Sequence, residues 1–361
     1  MVKCFRRGGI IWTMGTDMRS SMTPKERIYA TLKRQPVDRP AVTPIFMSWA
    51  ANFAGHNYRD YYLNWRALIE SQLGVVEAFN LDQISAISDP WREASAYGMQ
   101  LDYPPDGVGK PRGWILSGPA DIARLRQTDI LSAPRILDRI EGVRFMAAEV
   151  GMTHSVLGWI EGPMAEYSDL RGVETTLMDL FDKPEMFLET GEILVEKAIA
   201  FAREQIKAGA DMIGIGDAAA SLIGPDLYSQ FVLPLEIKLI AGIHNAGATV
   251  KLHICGNVTP TIVHMAKTGA DIIDCDWMVA LDKARVDVGP AITLCGNFDP
   301  SAVLVQGTPQ TVAAAARDCF RKAGDPFILM PGCEVSPLTP QANIRAFCPC
   351  QGCQIPDILK C

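Results

Sequence analysis

Four stretches in the second half of the chain decide its fold: ATVKLHICG (248–256), ADIIDCDW (270–277), AITLCGNFDP (291–300) and PFILMPGCE (326–334). Each is a short apolar and β-branched run of strand length that ends on polar or small residues. The same pattern recurs upstream in ADMIGIGD (210–217) and THSVLGWIEGP (153–163), and earlier still in DQISAISD (82–89) and RPAVTPIFM (39–47). Amphipathic stretches separate them; in 185–207, Leu188, Leu194, Val195, Ala198 and Phe201 recur at helical spacing among charged residues. Gly209, Gly247 and Gly269 stand where a left-handed cap would turn a helix into the next strand. Strand alternating with helix predicts a parallel sheet, and about eight such units predict a closed (β/α)8 barrel. A doubly wound sheet would favour a G-x-G-x-x-G turn, and IGIGD around Gly214 and Gly216 lacks the third glycine. Residues 91–152 are less regular and read as a hairpin or inserted helices.

The composition suits one such barrel with additions. The chain has 361 residues, 48% of them hydrophobic and 21% charged, enough for a large core. A net charge of −7 argues against a nucleic-acid partner. No apolar run has the roughly 18 residues of a membrane span. Ten cysteines in a long, mildly acidic chain suggest metal or nucleophile chemistry in a reducing compartment, so a cytoplasmic protein is expected. Thr23, Pro24 and Glu26 form the first helix signal, a capping box with proline at the first helical position. Residues 1–21 ahead of it carry basic residues but no signal-peptide apolar core, and read as a poorly ordered extension. The barrel is expected over 22–347. The tail 348–361, with Cys348, Cys350, Cys353 and Cys361, matches no zinc-knuckle spacing and reads as disordered or aberrant.

Reactive groups of an α/β barrel gather where strands end. Here those ends carry Glu161, Asp217, His253 with Cys255, Asp276, Asn297 with Asp299, and Cys333 with Glu334. Asp217, Asp276 and Asp299 read equally well as helix caps. His253 and Cys255 are two apart on a strand and so share a face. An imidazole beside a thiolate suits Zn²⁺, and Cys333, at another strand end, is the candidate third ligand. Buried packing residues are the competing reading of one histidine and two thiols; placement at equivalent strand ends favours the metal. Cys275, Cys295 and Cys319 read as packing residues, and His56, His154, His244 and His264 have no ligand-like neighbour.

The motifs HICGN (253–257), GNFDP (296–300) and PGCEVSPLTP (331–340) resemble those of the uroporphyrinogen decarboxylase superfamily. So do TPKERIYATLKRQPVDRPAV (23–42), GWIEGPMAEYSDLRG (158–172) and DAAASLIGPDLYSQFVLP (217–234). The likeness spreads over nearly all of 22–347 and looks strongest to the zinc-dependent, cobalamin-linked methyltransferases. It implies a TIM barrel, zinc on His253, Cys255 and Cys333, and a corrinoid carried by a partner protein. It also places Glu161, Asp217 and Asp276 as candidate catalytic groups, and Asn257, Asn297 and Asp299 as candidate cofactor-binding groups. True decarboxylases carry an arginine-rich segment of the type RQAGR; here RPAVTPIFMSWA (39–50) has no arginine after Arg39. The expected activity is methyl transfer from a methoxylated small molecule, an aromatic ether, to the corrinoid. Phe46, Met47, Trp49, Trp91, Trp159 and Trp277 are the candidate wall of an aromatic pocket. The alternatives are a methylcobalamin:thiol methyltransferase of the coenzyme M type, a decarboxylase, and a non-catalytic metal-binding or corrinoid-docking scaffold. A homodimer is left open.

Overall fold

The chain enters its fold at Thr23, whose side chain caps Glu26 N while the Glu26 carboxylate accepts from Thr23 N at 2.8 Å. The helix Pro24–Leu32 that follows lies below the barrel and sends Ile28 into its interior. The computed structural model describes residues 22–349; the expectations for 1–21 and for the tail from Cys350 onward lie outside them. Cys348 itself is buried.

Among the described residues nine strands follow in chain order: β1 (Gln83–Ser85), β2 (Leu101–Asp102), β3 (Lys110–Pro111), β4 (Ser155–Glu161), β5 (Met212–Gly216), β6 (Thr249–Ile254), β7 (Ile272–Cys275), β8 (Thr293–Phe298) and β9 (Phe327–Pro331). Strands β2 and β3 pair antiparallel as a small hairpin inside the irregular 91–152 region. The other seven form one parallel sheet in the order β1-β4-β5-β6-β7-β8-β9.

The eighth expected strand, 39–47, makes a single bridge, Val42 to Leu329. Pro40 and Pro44 have no N–H to donate, which limits the ladder there. The segment still closes the barrel: Leu329 N donates to Ala41 O at 2.9 Å, and Asp82 N donates to Val42 O at 3.1 Å on the opposite side. Asp82, fully buried, pins it further by accepting from Val42 N at 2.7 Å and pairing with Arg27 (2.5 Å) and Arg39 (2.7 Å). Arg39 is thus tied up in this closure.

Apolar residues divide by strand alternation into two cores. Leu157, Trp159, Met212, Cys295, Ile328 and Met330 fill the barrel interior. Val156, Ile160, Ile213, Ile215, Ile273 and Cys275 face the surrounding helices. Gly214 and Gly216 exist to admit the Trp159 ring: a Cβ on Gly214 would lie 2.3 Å from Trp159 Cε3, and one on Gly216 2.9 Å from Cζ2. The helix Pro184–Ala208 ends on Gly209 at φ 115°, the expected left-handed cap. Among the described residues no helix is long and apolar enough to cross a membrane.

Candidate metal centre at the barrel mouth

Strand β6 carries Lys251 and His253 on its inner face, and Cys255 follows immediately past its end. The loop after β9 brings Cys333 across the mouth. His253 Nε2 stands 3.0 Å from Cys255 Sγ and 3.9 Å from Cys333 Sγ, and the two sulfurs are 3.9 Å apart. A tetrahedral zinc, with bonds of about 2.3 Å to sulfur and 2.0 Å to nitrogen, would set its ligands roughly 3.5–3.8 Å from one another. The three side chains therefore fit such an ion with adjustments under an ångström, and their soft donors suit zinc.

The two thiols divide one proton between them. Cys333 is lowered to about 5 by the hydrogen bond from Cys255, against its burial and with help from His253. Cys255 is raised by the same contact and by burial. One thiolate is thus prepared before any ion arrives.

Strand register supplies what lies beneath. His253 and Asp274 are partners in the β6–β7 ladder, so they share the interior face. Asp274 Oδ2 lies 3.4 Å from His253 Nδ1 and 3.0 Å from Lys251 Nζ, and all three side chains are buried. Burial alone would raise the Asp274 carboxyl, but Lys251 and His253 hold it below its usual range. A carboxylate on Nδ1 leaves Nε2 as the free ligand atom, the usual outer support of a metal-bound imidazole.

The other sequence candidates separate. Glu161 joins the triad, lining the same cavity. It accepts from Trp159 Nε1 at 3.2 Å, and burial, then Glu93, Asp169 and Glu166, push its carboxyl well up. Asp217 is fully buried and accepts from Ala165 N at 2.6 Å, capping the helix Pro163–Arg171 of the neighbouring βα unit rather than facing the cavity. Asp276 clamps the site loop, accepting from Gly256 N at 2.9 Å and Met278 N at 3.2 Å. Asn297 donates to Asp276 O (3.1 Å) and Val279 O (2.5 Å), a brace one layer further out. Asp299 caps the turn 300–305 through Ser301 N and Ala302 N, and Asn257 accepts from Thr259 N at 3.2 Å. These five do not line the cavity at the triad.

The aromatic wall is also thinner than expected. Of its six candidates only Met47 and Trp159 line the cavity. Phe46 and Trp49 pack against each other and Phe79 in the outer core, and Trp277 borders a separate surface groove. Glu334, named with Cys333 among the strand-end groups, does line the cavity, whereas Asp274 and Lys251 were not singled out by sequence reasoning. Alternation would have found both, since Cys275 facing outward turns Asp274 inward, and Lys251 is two before His253.

Comparison with known proteins agrees with this arrangement. The uroporphyrinogen decarboxylase (URO-D) family model matches residues 23–350. The chain is 28% identical over 340 residues to the methylcobamide:CoM methyltransferase MtbA of Methanosarcina acetivorans, covering 91% of this chain and 97% of that protein. It is 26% identical to the uroporphyrinogen decarboxylase of Nostoc punctiforme, over 91% of this chain and 95% of that one. A solved methyltransferase from Methanosarcina mazei superposes with a TM-score of 0.78 at 26% identity, covering 90% of this chain and 97% of the other. Fold, extent and motifs converge: the chain belongs to the URO-D family.

Proposed function

We propose that the protein is a zinc-dependent methyltransferase that exchanges a methyl group between the cobalt of a corrinoid, carried by a partner protein, and a small molecule held in the barrel mouth. The observation that carries this reading is the His253–Cys255–Cys333 triad at the edge of an apolar cavity. Three protein ligands leave one tetrahedral position for a small molecule, as catalytic zinc sites do. The direction we favour is from methylcobamide to a thiol, because the methyltransferases it resembles at 26–29% identity are methylcobamide:CoM enzymes. The ether-donor direction loses support with the aromatic wall, of which Trp159 is the only aromatic candidate left in the cavity.

Zinc bound there would lower the pKa of a thiol on the open position and hold it as thiolate. The chain's own residues do the rest. His253 and the two cysteines would hold the zinc, Asp274 orients the imidazole, and Asp276 holds the Gly256 loop beside them. A methylated corrinoid brought to the mouth would supply the methyl group, its cobalt keeping both electrons of the cobalt–carbon bond as the sulfur–carbon bond formed. The thiol proton would leave as the sulfur binds, and Glu161 is one of three cavity carboxyls, with Asp89 and Glu334, available for that step.

The test has two arms. The purified protein should contain about one zinc per chain, as one three-ligand site requires, and Cys255→Ala or Cys333→Ser should lose it. Methylcobalamin with thiols should show loss of the cobalt-bound methyl by corrinoid absorbance. Corrinoid methylation from cob(I)alamin and a methoxyaromatic panel would instead establish the donor direction, and neither change with a full metal complement would defeat the proposal.

A further inference from the structure

The cavity beside the triad has a volume of about 140 Å³. Ile45, Met47, Ile87 and Trp159 supply its apolar wall, and its polar edge is acidic: Asp89, Glu161 and Glu334. Apart from the ligand His253, no cationic side chain among the described residues lines it. The nearby arginines are drawn to other partners, although Nε and Nη1 of Arg135 are buried without a hydrogen-bond partner. Arg135 lies 2.5 Å from Asp89 and is set against the rings of Tyr62 and Tyr103, while Arg92 donates to Tyr62 O at 3.0 Å and to Ser88 Oγ at 3.0 Å. Arg39, the arginine of the closing segment, is bound to Asp82.

Behind Glu161 the acidity deepens. Glu161 and Glu93 also border a small enclosed void, together with Glu166. Glu166 is 4% exposed, and both of its carboxylate oxygens are buried without a hydrogen-bond partner. Glu93 accepts from Glu161 N at 3.0 Å, and Asp169 adds a further carboxylate to the group. Arg92 and Arg139 act on this group through Glu93, and Arg135 interacts with Glu93 as well.

We propose that this site selects a small molecule with a neutral or cationic tail and rejects an anionic one. This rests on the proposed zinc-thiol reading and narrows its substrate class. An anionic tail such as a sulfonate would give up its hydration in the cavity and find no fixed positive partner, an uncompensated burial of charge. An ammonium or hydroxyl tail meets acceptors at Glu161 and Glu334, and an ammonium also meets the Trp159 ring. Clamping an anion requires arginine or lysine forks directed at it, and this mouth has none among its lining residues.

The test uses three two-carbon thiols that differ only in tail charge: 2-mercaptoethanesulfonate, 2-mercaptoethanol and 2-aminoethanethiol. The full chain is loaded with Co²⁺ in place of zinc, loading is checked by metal analysis, and the thiolate-to-cobalt absorption band is titrated with each. The sulfonate should bind at least about tenfold more weakly than either other thiol. Glu161→Gln should narrow the margin of the ammonium thiol over the neutral one. Sulfonate binding as tight as the neutral thiol, or no thiolate band from any of the three on fully loaded protein, overturns the inference. Methylcobalamin turnover is followed separately: the charge order without demethylation refutes the methyl-transfer reading alone and leaves the selectivity standing.

Discussion

Replacing Asp274 with asparagine tests the buried support of the metal centre most directly. The side chain is fully buried, 3.4 Å from His253 Nδ1 and 3.0 Å from Lys251 Nζ. At an effective dielectric of about 20, a carboxylate 3.4 Å from a charged or metal-bound imidazole is worth roughly 5 kcal/mol of gross attraction. Asparagine keeps the shape and an acceptor oxygen but not the charge, so the net loss should be smaller. Outer-shell partners of metal-bound histidines are worth about 10–100-fold in affinity, or about 1.4–2.8 kcal/mol. Lys251 complicates the single variant: its buried ammonium loses its partner, which costs about 3–5 kcal/mol of stability and leaves a cation near the incoming ion. Asp274→Asn should therefore sit at the upper end, about 100-fold weaker for zinc, with a clearly lowered unfolding midpoint. The double variant Lys251→Met/Asp274→Asn removes both charges, and methionine suits the Met330 and Cys295 surroundings of Lys251. It should regain most of the stability yet still bind zinc about tenfold more weakly than the natural chain. Zinc dissociation constants come from competition with a chromogenic chelator, and stabilities from denaturant unfolding of the metal-free proteins. If the double variant binds zinc within about twofold of the natural chain, Asp274 does not tune His253 and the reasoning fails.

Two further outcomes follow from the scaffold. Burial raises the Asp217 carboxyl from 3.8 to about 7, against the amides of Ala165 and Met164. The folded state thus keeps a proton that the unfolded chain releases near pH 4. Stability contributed by this group should be full at low pH, fall as pH rises from about 4 to 7, and level off above, by at most about 4 kcal/mol. Asp217→Asn should flatten that slope in denaturant unfolding at pH 5 and pH 8; parallel curves for both proteins would refute the assignment. Gly214→Ala would set a Cβ 2.3 Å from the Trp159 ring, and such overpacking costs about 1–3 kcal/mol. The melting temperature should drop by several degrees and the tryptophan emission should shift as the indole is displaced toward the cavity; an unchanged melting temperature would show that the ring moves freely.

The barrel was legible because its cause is periodic. Every strand candidate from 153–163 onward overlaps an observed strand, since burial on both faces forces continuous apolar runs that helical spacing cannot imitate. The two early candidates came out shorter, β1 as Gln83–Ser85 and 39–47 as one bridge, because prolines in the latter withhold donors and tertiary contacts to Asp82 do the closing. At the site, His253, Cys255 and Cys333 could be read because their chemistry shows in residue type and strand position alone. The roles of the aspartates could not. Asp217 and Asp276 both follow strands, as a catalytic acid or a helix cap would, and only the third dimension shows Asp217 capping a helix from another βα unit while Asp276 braces the metal loop. Asp274 is the instructive case. Period-two alternation from Cys275 places it inside the barrel, and an interior carboxylate demands a cation, which the same alternation supplies as Lys251 beside His253. What alternation cannot give is register: that β6 and β7 align so that His253 faces Asp274, rather than a residue two places away, is a property of the closed sheet. The charge of the mouth has the same origin. Glu93, Glu161, Glu166 and Asp169 are scattered over 77 positions of sequence, and they become one acidic wall only because the helix Arg92–Ala96 and the helix Pro163–Arg171 flank the same strand end. The candidate ligand set is therefore written locally in this chain, while the proposed selectivity is written in the closure of the barrel.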